Sequence, residues 1–145
     1  MARVTIDLPV EFHFSTTITI RITDINYGGH AGNDTILSLI HEARMQFLNN
    51  SGYTEINCGG ISLIMTDAAI EFKKELFYGD VANIAVAAIS ISKISFDFFY
   101  KIEKQEEGKT VLVAKIKTTM AGYDYPAKKI AAFPAEVIEK LTTSA

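Results

Sequence analysis

One long helical pattern, Asp34 to Asn49, limits what the rest of this chain can fold into. Ile36, Leu39, Ile40, Ala43 and Phe47 recur at helical spacing, and Leu37 and Leu48 widen the apolar arc to about half the circumference. A helix apolar over that much of its surface is buried on most sides. At 1.5 Å per residue it spans roughly 24 Å, the width of a small sheet that could curl around it. Asn33 or Asp34 is placed to cap its start, and Asn49, Asn50, Ser51 and Gly52 end it.

The flanking segments read as strands. Before the helix, Phe12 to Ile22 alternates strictly, with Phe12, Phe14, Thr16, Ile18, Ile20 and Ile22 on one side and His13 on the other, so His13 is expected at the surface. After it, residues 61–72 are β-rich and too apolar on both sides for an exposed strand. Asp67 shares parity there with Leu63, Met65 and Ala69, so it must be paired, exposed at an edge, or used chemically. Val81 to Ile91 is apolar or small on both faces, which predicts a strand covered on both sides. Ile94, Phe96, Phe98, Tyr100 and Ile102 point inward along the next strand, against Ser95, Asp97 and Lys101. Beyond a turn at 106–108, Leu112, Ala114, Ile116, Thr118 and Met120 oppose Val111, Val113, Lys115, Lys117 and Thr119. Tyr123 to Phe133 reads as a loop, and Pro134 opens a short helix ending near Leu141. Strand, buried helix and four strands make an α+β chain, one antiparallel sheet wrapped around a central helix.

Composition excludes several function classes. With 145 residues the chain is expected to form a single domain over 1–145, burying around 68 to 70% of its unfolded surface. A net charge of -3 and the absence of any lysine or arginine block leave no footprint for nucleic acid. Neither a signal-type N-terminus nor 18 consecutive apolar residues occurs, so a cytoplasmic protein without a membrane partner is expected. Cys58, the single cysteine, can form no internal disulfide, and scattered His13, His30 and His41 give no metal spacing.

Chemistry concentrates between Arg21 and Arg44, in RITDINYGGHAGNDTILSLIHEAR. Gly28 and Gly29 permit close approach to the main chain. The helix start after them directs free N–H groups and the positive dipole end outward, where an oxyanion or phosphate can be received. Asp24, Asn26 and His30 lie beside those donors. Asp24 serves either as a base or as an acceptor for loop N–H groups, and His30 titrates in a useful range or simply packs. Glu42 lies about 120° round the helix from the apolar stripe. Arg44, at the border of the buried arc, is expected to pair with a carboxylate such as Asp24.

The order Asp-x-Asn, Gly, His, and a helix ending in Glu-Ala-Arg resembles the hotdog-fold acyl-CoA thioesterases of the 4-hydroxybenzoyl-CoA thioesterase type, over roughly Phe12 to Pro134. The resemblance implies a hotdog fold, hydrolysis of acyl-CoA or acyl-carrier-protein thioesters without a cofactor, and a homodimer or homotetramer with sites between subunits. It makes the Asn33 N–H the oxyanion donor, with Gly32 and Asp34 beside it. One position departs from the family: Asn26 stands where the acting Asp is found, and an amide has no useful proton affinity. Plant acyl-carrier-protein thioesterases are similar in presenting Asp, Asn and His, although their His falls two residues earlier. By that comparison Asp24 or His30 takes the proton, while Asn26 holds the water or the thioester oxygen and Glu42 could face a partner subunit's site. Lys115, Lys117, Lys128 and Lys129 are candidates for the phosphates of coenzyme A, and Phe72, Phe77, Phe98 and Phe99 for an acyl tunnel. Two alternatives stay open. The turn also resembles the Asp-x-Asn-Pro-x-His motif of hotdog enoyl-CoA hydratases, with Tyr27 in place of Pro and the His one residue late, and Asn26 is equally compatible with a non-catalytic acyl-CoA binding module.

Overall fold

Alternation divides the sheet into two faces before any packing is considered, and the computed structural model, which describes residues 3–143, bears this out. Positions 1, 2, 144 and 145 of the expected domain lie outside the described residues. The strands are β1 (Phe14–Thr19), β2 (Ser62–Phe72), β3 (Val81–Ser92), β4 (Ser95–Glu106), β5 (Lys109–Asp124) and the short β6 (Lys129–Ile130). Helix α1 (Asn33–Asn50) follows β1, and α2 (Ala135–Thr143) closes the order. All strand pairings are antiparallel, in the order β1-β3-β4-β5-β2, with β6 paired to β5. This is the hotdog arrangement that the sequence implied.

The inward face carries Phe96, Phe98, Tyr100 and Ile102 of β4, all fully buried, together with Ala114, Ile116, Thr118 and Met120 of β5. Onto it α1 lays Ile36, Leu39, Ile40, Ala43, Phe47 and Leu48. Phe47 meets Phe14 and Phe98 edge to face, each with ring centroids 5.7 Å apart. Such pairs add about 0.5–1.5 kcal/mol beyond their buried area, and here they fix α1 over β1 and β4. A polar chain also runs through this layer. Arg44 donates to Glu55 Oε2 at 2.6 Å and to the Tyr100 hydroxyl at 3.0 Å, and that hydroxyl lies 2.7 Å from Thr118 Oγ1.

Several expectations are corrected. Arg44 pairs with Glu55 rather than Asp24, because the loop after α1 folds back along the helix. The Phe12 to Ile22 alternation ends early: the chain tightens into a 3-10 turn at Ile22–Asp24, leaving Ile22 70% exposed. Leu37 and Ile94 are exposed as well. The helix cap is Gly32, with no side-chain cap bond from Asn33 or Asp34; the Gly32 carbonyl accepts from Thr35 N at 3.0 Å and Ile36 N at 3.2 Å. Strand β2 is an edge, not a covered strand, and the outer face of β3 lies open at Ile89 and Ile91. The predicted loop from Tyr123 instead continues β5 to Asp124 and returns through β6.

Asp67 shows how a bulge decides a face. The β2–β5 register passes from Met65↔Met120 to Asp67↔Thr119, so Thr66 is the extra residue and everything beyond it changes side. Asp67 therefore leaves the apolar parity of Leu63 and reaches Lys117 Nζ at 3.0 Å. Hydrogen bonds from Lys117 and Thr119 hold its carboxyl below the usual range. Pairing at an edge, one of the alternatives read from the sequence, is what is found.

Candidate active site

The turn between β1 and α1 is held together by its own polar groups. Ile25 and Ala31 form an isolated bridge, Asn26 N donates to His30 O at 2.9 Å, and Gly29 N donates to Asn26 O at 3.0 Å. Gly29 has φ +85, in the left-handed region that glycine adopts without penalty. The Asn26 side chain accepts the Gly28 N–H at Oδ1, 2.8 Å, closing an Asx turn and leaving its amide nitrogen free to face Gly32. A Cβ at Gly32 would stand 2.7 Å from Asp34 Oδ1 and 3.3 Å from Asn26 Nδ2, so only glycine lets these side chains close around the helix start. At Gly28 a Cβ would meet Asn26 Oδ1 at 3.2 Å and His30 Nε2 at 3.5 Å, so the bare glycine leaves room beside both polar side chains.

His30 and Asn33 line a cleft of about 340 Å³ with Ala31, Ile36, Phe72, Lys73, Lys74, Glu75 and Leu76. That size and mixed lining suit a small acyl or aryl group. One side of the cleft is Lys73 to Leu76, the start of the segment 73–80, joined to the turn by a bond of 2.8 Å from Ala31 N to Leu76 O. The same bond brings Glu75 opposite His30, with Oε1 3.8 Å from Nε2. His30 Nδ1 lies 3.0 Å from the Ala31 carbonyl, the geometry of an Nδ1–H donor, which leaves Nε2 as the basic nitrogen facing the cleft. Behind Asn33 and Asp34 there is no preceding helical turn, so their N–H groups have no intrahelical acceptor and carry the positive end of the dipole.

The other expected site residues lie elsewhere. Asp24 is buried and belongs to a second hollow, with Arg21, Ser38, Leu39 and Glu42. It accepts from Arg21 N at 2.8 Å and from the guanidinium at 3.3 and 3.4 Å. Burial would raise its pKa, but the bonds and charge of Arg21 outweigh that and hold the carboxyl below the usual range. Asp24 thus accepts loop donors, one of its two expected roles. Glu42 is exposed and accepts from Gln46 Nε2 at 2.7 Å. Lys115 and Lys117 do not line the cleft. They belong to the outer face of β5, where Lys115 bonds the Ile6 carbonyl at 3.2 Å and approaches Glu71 at 3.8 Å, and Lys117 holds Asp67. Lys128 and Lys129 sit at the β6 hairpin, the far end of the β2–β5 ladder from Phe72. Of the four phenylalanines only Phe72 reaches the cleft; Phe98 is core, Phe77 is exposed, and Phe99 is half-buried on the other face of β4.

Glu75, Lys73 and Lys74 were not legible as site residues. They follow the last strand position of β2, and nothing local distinguishes them from a solvated charge run. Cys58 is fully buried and its thiol is pushed up to about 12 by burial, which removes it as a nucleophile.

Known proteins share this fold. The family model described as "Thioesterase-like superfamily" matches residues 20–141. A protein of Aquifex aeolicus (strain VF5) named "Putative esterase" is 32% identical over 102 residues, covering 69% of this chain and 75% of that one. The crystal structure of a 1,4-dihydroxy-2-naphthoyl-CoA thioesterase from Synechocystis superposes with a TM-score of 0.76 at 22% identity, over 88% of this chain and 96% of the other. A mutant of 4-hydroxybenzoyl-CoA thioesterase complexed with 4-hydroxybenzoyl-CoA gives 0.78 at 16% identity, over 89% and 98%. No helix among the described residues is long and apolar enough to cross a membrane. A family match spanning the turn, the cleft, α1 and most of α2, on a hotdog sheet of this strand order, places the chain in the thioesterase-like superfamily.

Proposed function

We propose that the chain hydrolyses a thioester of coenzyme A or acyl-carrier protein in the cleft beside His30, with His30 as general base and Glu75 as the carboxylate that steadies it. The observation that carries this reading is the approach of Glu75 to His30 Nε2, 3.8 Å across a cleft that also receives the start of α1. With its proton on Nδ1, His30 has no hydrogen to give Glu75 at Nε2; the carboxylate acts by its charge on the imidazolium formed when Nε2 takes a proton. In the reaction a water loses a proton to Nε2 while its oxygen adds to the thioester carbonyl carbon. The carbonyl oxygen takes up the negative charge, received by the Asn33 N–H and the Asn26 amide. The C–S bond then breaks, and the leaving thiolate recovers the proton from His30. Glu75 stabilises the transient imidazolium, and His30 takes the proton that Asn26 cannot. An oxyanion donor is worth about 2.7–4 kcal/mol, and general base catalysis about 10²–10⁴-fold.

Release of thiol from a panel of acyl- and aryl-CoA esters tests this. His30→Ala is expected to lower turnover by about a hundredfold, with Asp24→Asn within a few-fold of the unmodified protein. An unchanged rate in His30→Ala would sink the assignment. Hydration of crotonyl-CoA without thiol release would favour the hydratase chemistry instead, and tight binding without turnover a binding module.

The same reading includes a homo-oligomer. Its support is the open edge of β2, with Met65 and Phe72 exposed, and the uncovered Ile89 and Ile91 of β3. Light scattering at a multiple of 16.0 kDa is the expected result. We also place the protein in the cytoplasm, in keeping with a lone unbridged thiol.

A further inference from the structure

Lys104 stands where the inward parity of β4 calls for another apolar side chain. It follows Ile102 on the buried stripe and is itself only 6% exposed. A buried ammonium persists only where acceptors replace its water. Here both hydrogen-bond acceptors belong to the segment 73–80: the Glu75 carbonyl at 2.7 Å and Asp80 Oδ2 at 3.0 Å. The Phe77 ring lies 5.1 Å from the same nitrogen, and the Glu106 carboxylate lies 3.7 Å away. A single charge therefore gathers three residues of one segment.

This segment has no helix or strand of its own. Its other backbone ties to the rest of the described chain are Lys73 N and Lys74 N to Val113 O, Ala31 N to Leu76 O, Gly79 N to Ile20 O and Ile20 N to Asp80 O. None of these touches the carbonyl of Glu75. Lys104 holds it, directly behind the side chain that meets His30.

We infer that Lys104 is a positioning residue for the thioesterase site, fixing Glu75 against His30 through the Glu75 carbonyl. This rests on the reading that the His30–Glu75 pair acts. A misplacement of about 1 Å in such a pair can cost about a hundredfold in rate, so a loose segment 73–80 would be felt in kcat. Substrate binding would change far less.

The test is a double-mutant cycle by steady-state kinetics on the best CoA ester. It uses the unmodified protein, Glu75→Gln, Lys104→Met, Lys104→Arg and the Glu75→Gln, Lys104→Met double variant, at a temperature where melting curves show each folded. Lys104→Met is expected to lower kcat by about tenfold to a hundredfold with KM within about twofold, and Lys104→Arg to recover much of the loss. In the Glu75→Gln background, Lys104→Met should cost less than about twofold, because groups acting as a unit are not additive. A fully additive loss would show that Lys104 acts elsewhere and overturn the inference. An unimpaired Lys104→Met beside an impaired Glu75→Gln would overturn it while leaving the pair in place. An unimpaired Glu75→Gln would overturn the pair, and this inference with it. Should Lys104→Met fail to fold, Lys104→Gln takes its place under the same criteria.

Discussion

Removing Glu55 tests the account of how α1 is held. Arg44 is 3% exposed and depends on Glu55 for its shortest bond, 2.6 Å. Burial by itself would lower the Arg44 pKa, yet the Tyr100 hydroxyl and Glu55 hold it above the usual value, so the guanidinium stays charged. In Glu55→Ala it keeps, among the described residues, the Tyr100 hydroxyl at 3.0 Å. Breaking a buried pair from one side costs about 3–5 kcal/mol. The Glu55 side chain is 20% exposed, so water can reach the vacated place, and the lower end, about 3 kcal/mol, is expected. At about 2–4 °C per kcal/mol, Tm should fall by about 6–12 °C. Urea unfolding should show the same loss as a lower midpoint with an unchanged slope.

The effect also has a sign in pH. Burial would raise the Glu55 pKa, but Arg44 and then His41 outweigh it and bring it below its ordinary 4.5. Its contribution is complete above 4.5 and is lost as pH falls through the lower folded value, so the gap between the two proteins should close in acid. A loss near pH 7 of less than about 1 kcal/mol, the scale of an exposed pair, would refute the reasoning. So would a gap that widens in acid.

Two further outcomes follow from the site and the core. Gly32→Ala is expected to leave stability within about 1 kcal/mol, since φ -73 and ψ 168 suit alanine. It should still lower thioester turnover by about tenfold as Asn26 and Asp34 are pushed from the helix start, and steady-state kinetics at full rate would contradict the packing described. The Cys58 thiol, pushed up to about 12, should resist alkylation in the folded protein at pH 8 and react promptly in denaturant; labelling at equal rates in both states would count against its burial.

Much of this molecule is settled by local pattern. The parity of Phe96, Phe98, Tyr100 and Ile102 assigns the inner face of β4, and the spacing of Ile36, Leu39, Ile40, Ala43 and Phe47 assigns the buried face of α1. Both follow from fixed residue periods, which neighbours in sequence suffice to express. The turn from Asp24 to Asp34 was equally visible, because glycines and short polar side chains act on the backbone within a few residues. Lys104 left a readable trace too, as a charge on an apolar stripe.

Other features were decided only when distant segments met. Thr66 turned Asp67 outward because the β2–β5 ladder absorbed one extra residue, and no property of Thr66 announces that. Glu55 rather than Asp24 became the partner of Arg44 because the loop after α1 returned along the helix. Glu75 entered the site through a backbone bond between Ala31 and Leu76, a contact independent of side-chain identity and so invisible in sequence. The chain by itself determined the buried faces of α1 and β4 and where the free N–H groups of the α1 start would lie. Tertiary structure chose which charges would face each other, because Coulomb partners are fixed by distance in space and not by any repeat along the chain.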